Sequence, residues 1–204
     1  MQNQPQVRRA ELAEAEAVTR VFARAAVDEV VTAWIMDGHP EVAEQFRTEH
    51  APAMIERALT EDEVWVAGTG SDIWAVSLWQ TLTSPDRAAA EAAQTAELSK
   101  ALPLQPIRRM AALTSILAET HPTDYPYRYL QMIVTLPEYR GKGAGYAIVS
   151  ERAKAATADN LPAYLEASTE RSARLYQRCG FEISGNLIPL PENGPTLRPM
   201  WFRG

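Results

Sequence analysis

Residues 136–145 read Leu136-Pro137-Glu138-Tyr139-Arg140-Gly141-Lys142-Gly143-Ala144-Gly145. The stretch joins an apolar run, Tyr127 to Thr135, to a helical pattern running from Gly145 to about Ala158. Three glycines at alternate positions let the backbone turn sharply and approach a ligand without Cβ clashes. Successive N–H groups then converge in one concavity, with the positive end of the helix behind them. That geometry suits an anion, pyrophosphate above all, with Arg140 or Lys142 adding charge at the rim. A tight turn without a ligand would use the same glycines. Two other phosphate-binding patterns fit less well. A P-loop needs four residues between its first glycine and a Gly-Lys-Ser/Thr, an order absent here. A dinucleotide fingerprint needs two residues between its last two glycines, and here there is one.

Outward from this loop, strands and helices alternate. Downstream, Ala163 to Ala167 reads as a strand and Glu170 to Arg178 as a short helix ended by Gly180. Phe181 to Ile188 and Leu197 to Phe202 read as closing strands. Upstream, Val7 to Ala10 is a short strand, and Glu11 to about Ala26 carries Leu12, Ala15, Val18, Val21 and Phe22 at helical spacing. Asp28 to Met36 is a second helical run, broken by Asp37-Gly38-His39-Pro40. Glu41 to Leu59 is a third. Glu63 to Ala67 and Asp72 to Leu82 form a hairpin about Gly68-Thr69-Gly70-Ser71. Ser84 and Pro85 begin an alanine-rich surface helix, and a further helix covers about Leu104 to Glu119. The pattern predicts one α/β domain over residues 1–204, with a helical insertion at about 84–120.

Composition narrows the function. The 204 residues carry 23% charged and 46% hydrophobic side chains and a formal net charge of −6. Such a chain builds a core without staples and offers no broad attraction to nucleic acid or anionic lipid. The single cysteine, Cys179, has no internal partner, which points to a reducing, cytoplasmic setting and to a core role. His39, His50 and His121 show no ligand spacing, so no metal is expected. Met1 to Pro5 is polar and unlike a signal peptide, and no run is apolar enough to span a bilayer.

Taken together, Arg140, Gly143 and Gly145 after an apolar strand match Arg/Gln-x-x-Gly-x-Gly/Ala, the coenzyme A signature of the GNAT superfamily of N-acetyltransferases, which the chain resembles. A second match follows in Leu165-Glu166-Ala167-Ser168 and in Leu175-Tyr176-Gln177-Arg178-Cys179-Gly180-Phe181. The resemblance extends toward the puromycin N-acetyltransferase-like branch through Val64 to Ala67, the hairpin to Trp79, Ala96-Glu97-Leu98-Ser99, and Asp28 to Trp34. Ser172 stands where that branch often has asparagine, and Val30 where it often has proline. The resemblance implies a mixed, mostly antiparallel, twisted sheet flanked by helices, with a splayed central parallel strand pair and the helical insertion before the cofactor strand. It also implies acetyl-CoA, or another acyl-CoA, as co-substrate. The pantetheine arm would lie along Met132, Ile133, Val134 and Thr135, and the phosphates in Arg140, Gly141, Lys142, Gly143, Ala144, Gly145 and Tyr146, with Ser172 nearby. Arg171 and Arg174 are further candidates for the nucleotide phosphate.

In such a reaction an amine attacks a thioester and a thiolate leaves. At neutral pH an alkyl amine with a lysine-like pKa is neutral in roughly one molecule in a thousand, a deficit of roughly 4 kcal/mol. Glu29, Glu166 and Asp28 are candidate bases, and Tyr176 is the expected proton donor to sulfur. Asp28, Glu29, Trp34 and Trp79 are expected on the acceptor side, with Trp74 a further candidate wall. The expected partner is a small-molecule amine, an antibiotic or natural-product intermediate among the candidates, for a monomer or homodimer. Nucleic acid enters only if the donor is an aminoacyl-tRNA. Other readings are a longer acyl-CoA or carrier-protein donor, or a non-catalytic acyl-CoA-binding module.

Overall fold

The computed structural model describes residues 4–204; Met1, Gln2 and Asn3, part of the polar N-terminal stretch read above, lie outside them. The chain runs through β1 (Gln6–Arg9), α1 (Ala15–Ala26), α2 (Val30–Met36), α3 (Pro40–Gln45), α4 (Ala51–Glu61), β2 (Glu63–Thr69) and β3 (Asp72–Leu82). It continues with α5 (Asp86–Ala101), α6 (Gln105–Thr120), β4 (Tyr127–Thr135), α7 (Ala144–Ala158), β5 (Ala163–Ala167) and α8 (Glu170–Arg178), and ends with β6 (Glu182–Ile183), β7 (Ile188–Pro189) and β8 (Thr196–Phe202). The strands order as β1-β2-β3-β4-β5-β8-β6, with β7 also on β8. Every pair is antiparallel except β4 with β5.

That exception creates the site. β4 and β5 pair only at Arg128 with Ala163 and Tyr129 with Tyr164, and then part. On its other edge β4 faces β3 with Leu78 opposite Met132 but Trp79 opposite Leu130, so Gln131 is an extra residue. A bulge of this kind bends a strand and re-aims its side chains. The bend coincides with the parting of the two strands, and a cleft opens between them.

Helices cover both faces because their apolar positions recur at helical spacing. Val18 and Phe22 of α1 pack with Ile55 of α4 over Val64, Val76 and Val134 of the sheet. On the opposite side Val149 and Ala153 of α7 meet Ala173 and Tyr176 of α8 over Leu130 and Leu165. Within the insertion α5 buries no residue, whereas α6 offers Leu113, Ile116 and Leu117 to Trp34, Val31 and Ile35 of α2.

Three local expectations change. The helix expected over Glu41–Leu59 is α3 and α4 joined by a π-helical turn, Phe46–His50. Pro52 has no N–H to donate four residues back, and the Ala51 N–H reaches the carbonyl of Phe46 instead. The run from Asp28 becomes helical only at Val30, because Glu29 is the cap: its carboxylate accepts from the N–H groups of Val31 and Thr32. The strand expected over Phe181–Ile188 is broken into β6 and β7, with Gly185 at φ +80° between them.

Candidate active site

The donor side is built from backbone. Gly141 and Gly143 sit at φ +79° and +89°, a left-handed conformation that suits glycine, and a Cβ at either would meet no protein atom within 4 Å. Glycine is needed there for handedness, and the space beside it is open. Among the described residues, the N–H groups of Gly141, Gly143, Ala144, Gly145 and Tyr146 have no main-chain acceptor, whereas Lys142 donates to Tyr139 and Ala147 to Gly143. Five free donors before a 15-residue helix fit the pyrophosphate of coenzyme A. The Lys142 ammonium lies 4.8 Å over the Tyr139 ring, which stacks on Trp74 at 4.7 Å. Trp74 thus braces the Gly-rich loop and is no wall of the acceptor side. Arg140 donates to the Thr135 carbonyl and, at 3.2 Å, to Asp28.

Where β4 and β5 part lies a cavity of about 150 Å³. Met132 and Ile133 line it, while the side chain of Val134 is buried in the core beneath α1, leaving only its main chain for a ligand. Ser172 is committed elsewhere: it forms a reciprocal cap with Thr169 at the start of α8. Tyr176 lies 7% exposed on the cavity wall and makes no side-chain hydrogen bond among the described residues. Burial, with the Glu29 carboxylate as a lesser cause, pushes its phenol well above the usual range, so it stays protonated. Cys179 is core, as expected, its thiol pushed up by burial to about 11.

Glu166 lines the same cavity, with a side chain only 4% exposed. Burial raises its pKa to about 7 against the pull of the Tyr164 and Tyr129 hydroxyls, which favour the carboxylate. His121 Nε2 lies 3.4 Å from Glu166 Oε1. The imidazole is buried too, and desolvation lowers its pKa to about 4. The rest of the cavity wall is aliphatic: Val31 and Ile35 from α2, Leu113 and Leu117 from α6, and Leu197 from β8.

The four residues expected at the acceptor side separate. Glu29 lines the cavity, although one of its oxygens is spent on the α2 cap. Asp28 instead faces the donor side through Arg140. Trp34 stands behind the cavity wall, where Arg109 covers its ring at 5.1 Å and donates to its carbonyl. Trp79 is a correction: it is 1% exposed in the core, its indole N–H donating to Ser77 at 3.0 Å. Its register opposite Leu130 turns it under α7, where Arg152 lies over the ring. Sequence reasoning also missed His121, Tyr129, Tyr164 and the aliphatic lining of α6. The i, i+2 spacing of Tyr164 with Glu166 was an available signal that both share one sheet face.

The fold is that of the GNAT N-acetyltransferases. A family model for the acetyltransferase (GNAT) domain matches residues 110–183, from within α6 to β6. A histone acetyltransferase HPA2 and related acetyltransferase structure from Corynebacterium glutamicum is 22% identical with TM-score 0.69, covering 98% of this chain and 96% of the other. The polyamine N-acetyltransferase of Drosophila melanogaster, which forms N-acetylagmatine, is 15% identical with TM-score 0.75 over 98% of this chain and 100% of its own. Arylalkylamine N-acetyltransferase 2 of Aedes aegypti is 12% identical with TM-score 0.66 over 98% of both chains. Among the described residues no helix is long and apolar enough to cross a membrane.

Proposed function

We propose that this chain transfers an acetyl group from acetyl-CoA to the primary amine of a small molecule with an apolar body. Acetyl-CoA supplies the activated thioester; the Gly-rich loop holds its pyrophosphate, and the splayed edge of β4 holds its arm. Glu166 takes the proton that frees the acceptor nitrogen, and Tyr176 gives a proton to the departing sulfur. The observation that carries this reading is a buried carboxyl and a protonated phenol on one small cavity, together with a loop of five free N–H donors.

The acceptor class follows from the wall. Val31, Ile35, Leu113, Leu117 and Leu197 favour alkyl or aryl bodies, and Glu29 and Glu166 are the carboxylates among the cavity residues. A polyamine acceptor needs acidic groups spaced along its length, so the arylalkylamine enzymes are the better guide among the structural neighbours. An antibiotic or natural-product amine of this shape, as the puromycin-branch resemblance suggests, falls within the same class. The test is acetyl-CoA turnover on a panel of arylalkylamines, alkylamines, polyamines and aminonucleosides, with products identified by mass. Transfer to arylalkyl or alkyl amines at higher kcat/KM than to spermidine or agmatine is expected. Preference for the polyamines, or coenzyme A binding without transfer to any amine, contradicts the reading.

A further inference from the structure

His121 and Glu166 leave two buried polar atoms, Nε2 and Oε1, facing each other at 3.4 Å with no other hydrogen-bond partner. Both side chains are more than nine-tenths buried. An unpartnered pair of this kind is costly unless a proton lies between its members. On the far side of the ring, Nδ1 is 3.4 Å from the Tyr127 hydroxyl, which is also 3.4 Å from the Pro122 carbonyl. The ring is held edge-on by Tyr129 at 4.6 Å and Tyr164 at 5.7 Å. The hydroxyl of Tyr127 therefore has two roles open to it: it can accept from Nδ1–H while donating to Pro122, or donate to Nδ1.

We propose that His121 positions Glu166 for proton transfer and switches its own tautomer as that carboxyl gains and loses a proton. This rests on Glu166 being the base of the reaction proposed above. With Glu166 protonated, its O–H donates to Nε2, Nδ1–H donates to Tyr127, and Tyr127 donates to Pro122. With Glu166 ionised, Nε2–H donates to the carboxylate and Nδ1 accepts from Tyr127. Both states satisfy Oε1, the two ring nitrogens and the Tyr127 hydroxyl, with the Pro122 carbonyl partnered by Tyr127 only in the first, and the imidazole is neutral in both. They differ by one proton, carried by Glu166: the ring keeps a single N–H, on Nδ1 in the first state and on Nε2 in the second, and the exchanged proton enters and leaves at the carboxyl, which lines the cavity. In turnover the acceptor ammonium supplies the proton that Glu166 takes up, and the carboxyl releases it again. His121 fixes Oε1 on the buried side, which leaves the rest of the carboxyl to face the amine. Its low proton affinity keeps it from trapping the proton as a cation. The other groups facing this pair are Tyr127 and Tyr129 of β4, Tyr164 of β5 and, across the cavity, Glu29 and Tyr176. The three tyrosines beside the carboxyl, Tyr127, Tyr129 and Tyr164, have pKa values raised chiefly by burial and do not titrate in the working range.

Imidazole ¹⁵N spectroscopy tests this without turnover, because the chain has only three histidines and His121→Gln assigns the signal. The expected result is an Nδ1–H tautomer at pH 5 and an Nε2–H tautomer at pH 9, with a midpoint near 7 that disappears in Glu166→Gln. A single tautomer throughout, a ring that becomes a cation near pH 6.5, or a switch that survives Glu166→Gln overturns the proposal. In kinetics, folded His121→Gln should lose about tenfold in kcat, with acceptor KM changed less than threefold, and should shift the acidic limb of the pH profile. An unmoved limb with unchanged kcat also overturns it. If the ¹⁵N switch is present but no amine is acetylated, the coupling stands and the assigned reaction fails.

Discussion

The two halves of the cleft are made differently. The proposed donor half is one contiguous stretch, Leu136 to Tyr146, which offers main-chain N–H groups without main-chain acceptors. The acceptor half is a set of side chains from α2, α6, β5 and β8, with Val31 and Leu197 lying far apart in the chain. A main-chain site has fixed chemistry and serves one invariant ligand. A side-chain site can be rewritten one residue at a time, which suits the part of the reaction that varies between enzymes. The two halves meet at Tyr176 and Glu166, the two residues to which the proposed proton transfers are assigned.

Glu166→Gln attacks that meeting point most severely. It keeps the shape and removes the proposed base, so kcat/KM for an alkyl amine should fall by about 10³-fold. The wild-type profile should rise with pH through about 7, since burial holds the carboxyl protonated below that value and only the ionised form accepts a proton. In Glu166→Gln the break near 7 should vanish from kcat/KM between about pH 5.5 and 9, leaving the steady rise that comes from the acceptor's own deprotonation. A break near 7 that persists assigns the base to another group, Glu29 first. Tyr176→Phe should cost less, about 10²-fold in kcat with coenzyme A affinity unchanged, because a thiolate needs modest help to leave. Full turnover in the folded variant, with chemistry rate-limiting, leaves Tyr176 as packing against Phe181.

The difference between the halves also governs what was legible in the sequence. Gly141 and Gly143 announce themselves because the left-handed backbone leaves few residue choices, and the order of strand, loop and helix is legible without tertiary knowledge, which is why an anion site is proposed there. The strands and helices from Tyr127 to Arg178 follow the same local logic and fall within a residue or so of expectation. Trp79 was misplaced because its direction depends on the bulge at Gln131 in a different strand, which nothing near Trp79 encodes. Asp28 was placed by its neighbourhood in the chain, whereas its partner Arg140 is 112 residues away. Leu113 and Leu117 read as ordinary helix positions; only the docking of α6 on α2 makes them a pocket wall. The polar cluster at His121 escaped for the same reason, since its members come from a loop and two strands.

Smaller effects sharpen the contrast. Leu113→Asp should raise KM for an arylalkylamine by about tenfold and favour a diamine, with donor affinity unaffected, because the change is confined to one half. A matching loss of coenzyme A affinity denies that the halves are separable. The smallest effect belongs to Asp28→Asn. The Arg140–Asp28 pair is half exposed, so releasing it should tighten coenzyme A by no more than about fivefold, visible by calorimetry at low salt and weaker at high salt. Weaker coenzyme A binding would show that Asp28 supports the loop and does not compete for Arg140.

The central claim is that coenzyme A is held by the main chain of the Gly-rich loop. Calorimetric titration of coenzyme A into Gly143→Val and Arg140→Ala tests it most directly. Gly143→Val puts a branched side chain at φ +89°, a conformation that strains any L residue, so folding is checked by circular dichroism and thermal melting before titration; the side chain and the lost left-handed turn both keep the anion out. The account predicts at least about 100-fold weaker binding in Gly143→Val and less than about tenfold in Arg140→Ala. Unchanged affinity in a folded Gly143→Val protein, with the larger loss in Arg140→Ala, would contradict it.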